Sequence, residues 1–519
     1  MPCLTLKGEL DEALTLSPFA VYQLYNALDS AVTAQLLPVM WSQFNDNTLT
    51  TYKREMRVQA LCLEMSTEGF PIDQLALADY VVRLEHLADK ALGILHRYCD
   101  ALGARHVNPN SKVDVPWLFY EFFGIPPIYS YDRATKQRRL SADIKALEKI
   151  REAYPTAGHF VNAILAYREN RKMASVFKRG LEPHTRHLRC NFSPSGTDTG
   201  RLSSQQNVYN RGTNAQNLTN SARQVISAPD GYCILNFDKK TAESIAVGFI
   251  SGCRAYIDAC LSGDVHTSAA RLVWPQLDWT GDLRHDKKLA ESPFYRMFTY
   301  RDMAKRGGHG TNYYGTPPTM ASHLKVDTKF VADFQDAYFA AFPEISEWHL
   351  RVIAAIQQTG VLTNALGRER RFWGRSDDAS VHRSAIAFEP QSLVADEMNL
   401  SLIQAQEFLL KECRDAKTYR ASARDRRLYP LRANLRAQVH DAGVFIVPIE
   451  AVNELAPKIQ AQLIHPVDYG DLGVMRIPTD CLIGKTWCKQ PKPTASATRW
   501  ERLGLRDFKP GMDLSFLRS

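Results

Sequence analysis

The sequence predicts an α+β fold, an antiparallel sheet flanked by long helical segments. Three observations carry this. Residues 51–190 and 264–360 read as mostly helical. YCILNFD (232–238) reads as a buried strand ending in an acid. QVHDAGVFIVP (438–448) reads as two strands around a tight turn, with Gly443 supplying the turn's flexibility. A chain of 519 residues is too long for one core, so two to four domains are expected.

Bulk properties fit a soluble globular chain, with 45% hydrophobic and 23% charged residues. The net charge of +8 is a mild excess, so its distribution matters more than its sum. No apolar run approaches bilayer length, and the start of the chain lacks a secretory pattern. The ten cysteines form no paired C-x2-C spacing, which argues against zinc and disulfide frameworks and makes a reducing cytoplasm the default.

In chain order, YQLYNALDSAVTAQLLPVM within the first 45 residues reads as an amphipathic helix. Basic clusters follow at 132–140 (DRATKQRRL) and 167–180 (YRENRKMASVFKRG). Around 188–218 the texture changes to short strands and polar loops. AESIAVGFISG reads as the helix after the first buried strand. Residues 414–436 are strongly basic, either tracking duplex phosphates or holding a partner, or forming a solvated helix and loop. From Lys489 onward Pro, Ser and Ala give a linker-like mixture.

Two features suggest chemistry. In RDMAKRGGHGTNYYG (301–315), Arg301, Lys305, His309 and Tyr313 recur every fourth residue, along one slowly drifting helix face. Two cations followed by two rings either hold a triphosphate and its base, or form an ordinary solvated amphipathic face. Asp238 ends one predicted strand and Asp441 sits at the turn of the later hairpin. They are either unrelated turn acids or, on neighbouring strands, a pair able to share two Mg²⁺ ions for phosphoryl or nucleotidyl transfer.

The order and content of these motifs resemble the family A DNA polymerases. FDKKTAES (237–244) and QVHDAG resemble the family's two palm motifs, DVHTSAA (264–270) the segment after the first, and RDMAKRGGHGTNYYG its fingers helix. EMSTEGFPID (64–73), SPSGTDTGRLSS (193–204), AQNLT (215–219), GRERRFW (367–373) and EPQSLVAD (389–396) also fit, so matching segments span roughly residues 60–488. The resemblance implies a right-hand polymerase fold with an antiparallel palm sheet, helical thumb and helical fingers. The expected division is 1–50, a helical remnant of a 3′→5′ exonuclease-like domain; 51–190, thumb and start of palm; 191–250, first part of the palm; 251–370, fingers; 371–488, second part of the palm; and 489–519, a C-terminal extension.

The resemblance also implies roles. Asp238 and Asp441 would hold two Mg²⁺ ions. Arg301 and Lys305 would grip the triphosphate, with Lys305 able to protonate the departing pyrophosphate, and His266 would hydrogen-bond it. His309 and Tyr313 would stack on the incoming nucleotide. Glu243 would be the steric gate against a ribose 2′-hydroxyl. Arg201 would read the minor groove at the primer terminus. Asn217 and Gln391 would assist on the primer and template strands, His440 would touch the primer 3′ end or else pack beside Asp441, and at least one of Arg368 and Arg371 would contact backbone phosphates, the other reading being a solvated surface. The implied activity is DNA-directed DNA synthesis, with primer–template DNA and dNTPs as partners, in the host cytoplasm.

Departures from the family pattern matter too. His309 stands where the family has Phe or Tyr, Ala442 where it has a Glu, and Gly307 and Gly308 interrupt a helix that they would help bend or open for the nascent base pair. Glu243 would partly offset the missing acid. Tyr314 beside Tyr313 leaves open which ring meets the template base. Tyr25 and Asp29 match the last exonuclease motif, so a separate exonuclease or replisome subunit is expected to dock on residues 1–45 or 489–519. The His309–Tyr313 variant and the short N-terminus suggest a phage or phage-like source. Competing readings are a single-subunit RNA polymerase, disfavoured by Glu243, and a non-catalytic DNA-binding remnant, disfavoured by intact Asp238, Asp441, Arg301 and Lys305.

Overall fold

A computed structural model describes residues 17–132, 137–295, 298–414, 433–491 and 497–517. The strand predicted at 232–238 forms as Tyr232–Lys239 and lies at the centre of a five-stranded antiparallel sheet. Across that sheet run Asn434–Val439, Ala442–Pro448, Tyr232–Lys239, Thr479–Gly484 and Arg506–Asp507. Cys233 through Phe237 are all buried, so the central strand is covered on both faces.

The hairpin expected at 438–448 is present, but its turn is at His440–Asp441, with Val439 paired to Ala442. His440 takes the positive φ, 54°, that the turn requires. Gly443 lies in the strand beyond it, and its expected role at the turn is corrected. A Cβ there would come within 3.0 Å of the Phe445 ring and 3.1 Å of Leu402 Cδ2, so packing against helix Ala379–Arg414 accounts for the glycine.

Separate buried clusters occupy three regions. Helices Gln74–Leu102 and Pro155–Arg179 enclose a thumb cluster around Leu95, Phe119, Leu147 and Ile164. The palm cluster gathers Phe237 and Phe445 from the sheet and Trp487 from the segment after strand Thr479–Gly484, with Val58 and Met65 of helix Asp46–Glu68. That helix opens the segment expected to hold the thumb and the start of the palm, and its buried residues pack with the sheet. The fingers cluster joins Ile245, Met303, Tyr338 and Trp348 from the helical run 242–359.

The C-terminal extension is not the linker its composition suggested. Arg506–Asp507 adds the edge strand, Leu505 and Leu517 are buried in the palm cluster, and Arg506 lies 3.6 Å over the Phe516 ring. The basic run expected at 414–436 falls mostly outside the described residues, as does the start of the expected N-terminal docking segment. The rest of that segment includes helix Pro18–Trp41, whose Phe19 and Tyr22 are each 72% exposed. Among the described residues no helix is long and apolar enough to cross a membrane.

Candidate active site

Strand register sets the position of the two acids. Asp238 pairs with Ala442, the residue after Asp441, and the Lys239 N–H donates to the Asp441 carbonyl at 3.0 Å. The end of the central strand is thereby tied to the hairpin turn. Burial pushes the Asp441 carboxyl up, and the Glu243 and Asp238 charges add to it against Arg201. Burial likewise raises Asp238, with Asp480, opposite it on strand Thr479–Gly484, adding its charge. Neither acid has an ion-pair partner among the described residues.

Beside Asp441 lies a pocket of ≈ 420 Å³, lined by Asp441 and Glu243 together with His266, Lys305, Arg306 and His309, with Asp238 outside its lining. Its cationic wall is helix Tyr300–Asn312, opened by a capping box between Thr299 and Asp302. Lys305 is exposed and has no ion-pair partner among the described residues. Arg301 is held by Asp264, which accepts from Nε and one Nη at 3.1 Å each. Asp264 also caps helix Val265–Val273. Its own burial would raise its carboxyl, but the Arg301 and Thr267 hydrogen bonds hold it below the ordinary value. Arg301 keeps its other Nη group for a further acceptor.

His266 opens the same short helix. Burial, with Arg301 and Lys305 nearby, depresses its imidazole to about 4. At neutral pH it is therefore an uncharged hydrogen-bonding ring rather than a third cation.

The expected stripe ends one residue early. Tyr313 is the C-cap of the helix, and its hydroxyl donates to Glu243 Oε2 at 2.6 Å. Burial and the Glu243 charge push that hydroxyl far above its ordinary value, so it stays protonated, and Gln391 also hydrogen-bonds it. The Tyr313 ring lies 4.8 Å from His309. Tyr314, at φ 59°, meets His349 edge-on at 5.3 Å and packs with the fingers cluster, so Tyr313 is the ring at the site. Arg201 pairs with the other Glu243 oxygen. With both oxygens held, Glu243 is a fixed wall of the pocket. Thr241, at φ 46°, turns the chain between Asp238 and Glu243 in a conformation costly for a β-branched residue.

Other expected residues divide. His440 is exposed in the turn and Asn217 on the one-turn helix Ala215–Asn217. Arg371 is exposed, its guanidinium 5.8 Å from the Trp373 ring. Arg368 departs from expectation. Its side chain is 12% exposed and bound to Asp396 at 2.7 Å and to Glu55, so its charge is committed to the interior rather than to a phosphate. Gly307 and Gly308 are likewise corrected. Added Cβ atoms would lie 2.6 Å from Phe334 and 3.1 Å from Tyr338, so they admit helix Thr328–Ala341 rather than a base pair.

Sequence reasoning missed Asp264, whose capping position in DVHT was its available signal, and Arg306. Lys239 and Glu397 were also missed, since nothing local marks a lysine and a glutamate that pair 158 positions apart.

The donor chemistry fits a hard divalent cation. Two half-buried carboxylates stand without a paired cation among the described residues, and no group of three or more His, Cys, Asp or Glu converges among those residues, here or elsewhere. Mg²⁺ is bound through one or two carboxylates, with water and substrate phosphates completing its shell.

The family model for DNA polymerase family A matches residues 79–489. The thermostable DNA polymerase I of Thermus filiformis is 24% identical over 473 residues, covering 88% of this chain and 50% of that protein. DNA polymerase I of Helicobacter pylori strain 26695 is 24% identical over 455 residues, covering 85% of this chain and 45% of that protein. The chain spans about half the length of these curated relatives. The solved POL domain of Pol1 from M. smegmatis, in complex with DNA primer–template and dNTP, covers 93% of this chain and 75% of its own. It superposes with a TM-score of 0.65 at 18% identity, a likeness of fold. With a family match that takes in the thumb helices, the fingers and both halves of the palm, the chain belongs to DNA polymerase family A.

Proposed function

We propose that the chain performs template-directed addition of deoxynucleotides to a primer 3′-hydroxyl, releasing pyrophosphate. The carrying observation is the ≈ 420 Å³ pocket, with Lys305 and Arg306 among its cations and Asp441 among its acids. Such a site can fix a triphosphate between positive charge and bound metal, and phosphoryl transfer needs little besides positioning and charge.

Asp238 and Asp441 would hold two Mg²⁺ ions, which when bound supply an activated hydroxyl and stabilise the leaving oxygens. Lys305 Nζ would hold the triphosphate and deliver a proton to the departing pyrophosphate. Arg301, oriented by Asp264, would add a hydrogen bond to a phosphate oxygen. Neutral His266 would hydrogen-bond the same group. His309 and Tyr313 would flank the incoming base and sugar. Glu243, pinned by Tyr313 and Arg201, would fill the space a 2′-hydroxyl needs and so select deoxynucleotides.

Primer–template DNA is the proposed partner. Arg171, Lys172, Lys178 and Arg179 line a groove of ≈ 910 Å³ on the thumb, which supports backbone contact there. The phage-replication setting rests on the His309–Tyr313 variant alone.

Extension of a labelled primer on a defined template tests this reading. It should require a template, a divalent metal and the complementary dNTP. Ribonucleotides alone should extend poorly, and Glu243→Ala should narrow that gap.

A further inference from the structure

Lys239 follows Asp238 and stands opposite Thr479 on the neighbouring strand. Successive strand side chains leave opposite faces of a sheet. The Lys239 side chain therefore turns away from the face of Asp238, toward helices Ala379–Arg414 and Val452–Gln462.

There its ammonium, 1% exposed, donates to Glu397 Oε1 at 2.6 Å, to the Leu463 carbonyl at 2.7 Å and to Ser401 Oγ at 3.3 Å. All three N–H donors are used. Glu397 is fully buried, and its Oε1 also accepts from the His465 N–H at 3.0 Å and Ser401 Oγ at 3.1 Å. Its Oε2 is buried without a hydrogen-bond partner among the described residues. On the other side, the Lys239 backbone N–H holds the Asp441 carbonyl. One residue thus joins the strand of Asp238 and the turn of Asp441 to the long palm helix.

An ion pair is a poor way merely to fill a core, because apolar side chains of similar volume are often as stable or more so. What it adds is direction. Three acceptors fix the ammonium in space and with it the backbone at 239.

We propose that Lys239 and Glu397 are positioning residues: their ion pair fixes the end of the central strand and, through the bond from Lys239 to Asp441, the separation of the Asp238 and Asp441 carboxylates. This rests on the reading of those carboxylates as the metal-holding pair.

The test uses two variants of the full chain bound to primer–template. Lys239→Met with Glu397→Leu replaces the pair by apolar side chains. Glu397→Asp keeps the charge but shortens the arm. Each is measured for thermal melting, primer–template affinity, Mn²⁺ binding by the EPR signal of free Mn²⁺, and single-nucleotide kcat and KM. Both should melt near the parent and bind DNA as it does. Partners that orient metal ligands are worth about 10–100-fold, so Mn²⁺ affinity and kcat should each fall at least about tenfold while the dNTP KM changes little. A folded variant of either kind with parental Mn²⁺ affinity and kcat overturns the proposal. If the apolar double variant does not fold, Glu397→Asp decides alone. If both unfold, the pair acts in stability rather than positioning, and the proposal falls. Asp441→Ala separates the two levels. If it retains Mn²⁺ binding and extension, the reading of the site fails. If it loses both while the pair variants match the parent, only this inference fails.

Discussion

Asp441 illustrates how a residue proposed to hold metal costs stability. Its folded carboxyl is raised by burial and by neighbouring acids, so the folded state binds protons more readily than the unfolded chain. With the pKa raised, stability is greatest at low pH and is lost as pH rises through the folded value. Asp441→Asn should therefore raise the melting temperature at pH 8 without divalent metal, while lowering extension by about 10³-fold or more. Added Mg²⁺ should stabilise the parent and leave the variant unmoved; equal melting shifts in both would contradict this. His266 has the opposite sign. Its pKa is depressed to about 4, so it contributes nothing against stability above its unfolded value near 6.5 and weakens the fold as pH falls below that. At His309, substitution by Tyr should change discrimination between deoxy- and dideoxynucleotides, measured as the ratio of kcat/KM values; an unchanged ratio would remove His309 from sugar selection. The convergence of Asp441, Glu243 and Lys305 on one pocket was legible because their motifs are short and local. The use made of Glu243 was not, because Arg201 and Tyr313 meet it from 42 and 70 residues away.

The elements show where composition misleads. Charged side chains suggest solvated faces, and Arg368 and Arg371 look alike in GRERRFW. Yet Arg368 belongs to a buried network with Asp396, Glu55 and Arg54, linking helix Asp46–Glu68 to helix Ala379–Arg414. Removing one partner of a buried charge network costs about 3–5 kcal/mol. Arg368→Ala should lose stability of that order in denaturant unfolding, with DNA affinity of the remaining folded protein nearly unchanged. Arg371→Ala should do the reverse. The fingers helix makes a related point. Gly307 and Gly308 looked like flexible points because glycine weakens a helix, but the helix runs through them and they admit Phe334 and Tyr338. Gly307→Val should cost about 1–3 kcal/mol through overpacking, visible in the same unfolding experiment. The tail from 489 read as a linker from its Pro, Ser and Ala. Its later residues instead supply a strand and an apolar plug, which only the sheet edge and the palm core could reveal.

At the scale of the whole molecule, separate hydrophobic cores form thumb, palm and fingers, and the palm joins chain segments far apart in sequence. Helical periodicity and the two buried strands made the α+β class readable. The pairing of Thr479–Gly484 with the far side of the central strand was not, since register over that separation leaves no local signal. Basic side chains on the thumb groove and at the pocket predict that DNA binding falls with salt and depends little on sequence, because phosphates carry the contact. A flat log–log dependence of affinity on salt would count against that surface. The most direct measurement is single-nucleotide primer extension with Mg²⁺, run beside Asp441→Ala. The geometry predicts incorporation of the complementary dNTP by the parent and none detectable by the variant. Equal extension by both, or none by a folded parent that binds primer–template, would contradict the assignment of this pocket as the site of DNA synthesis.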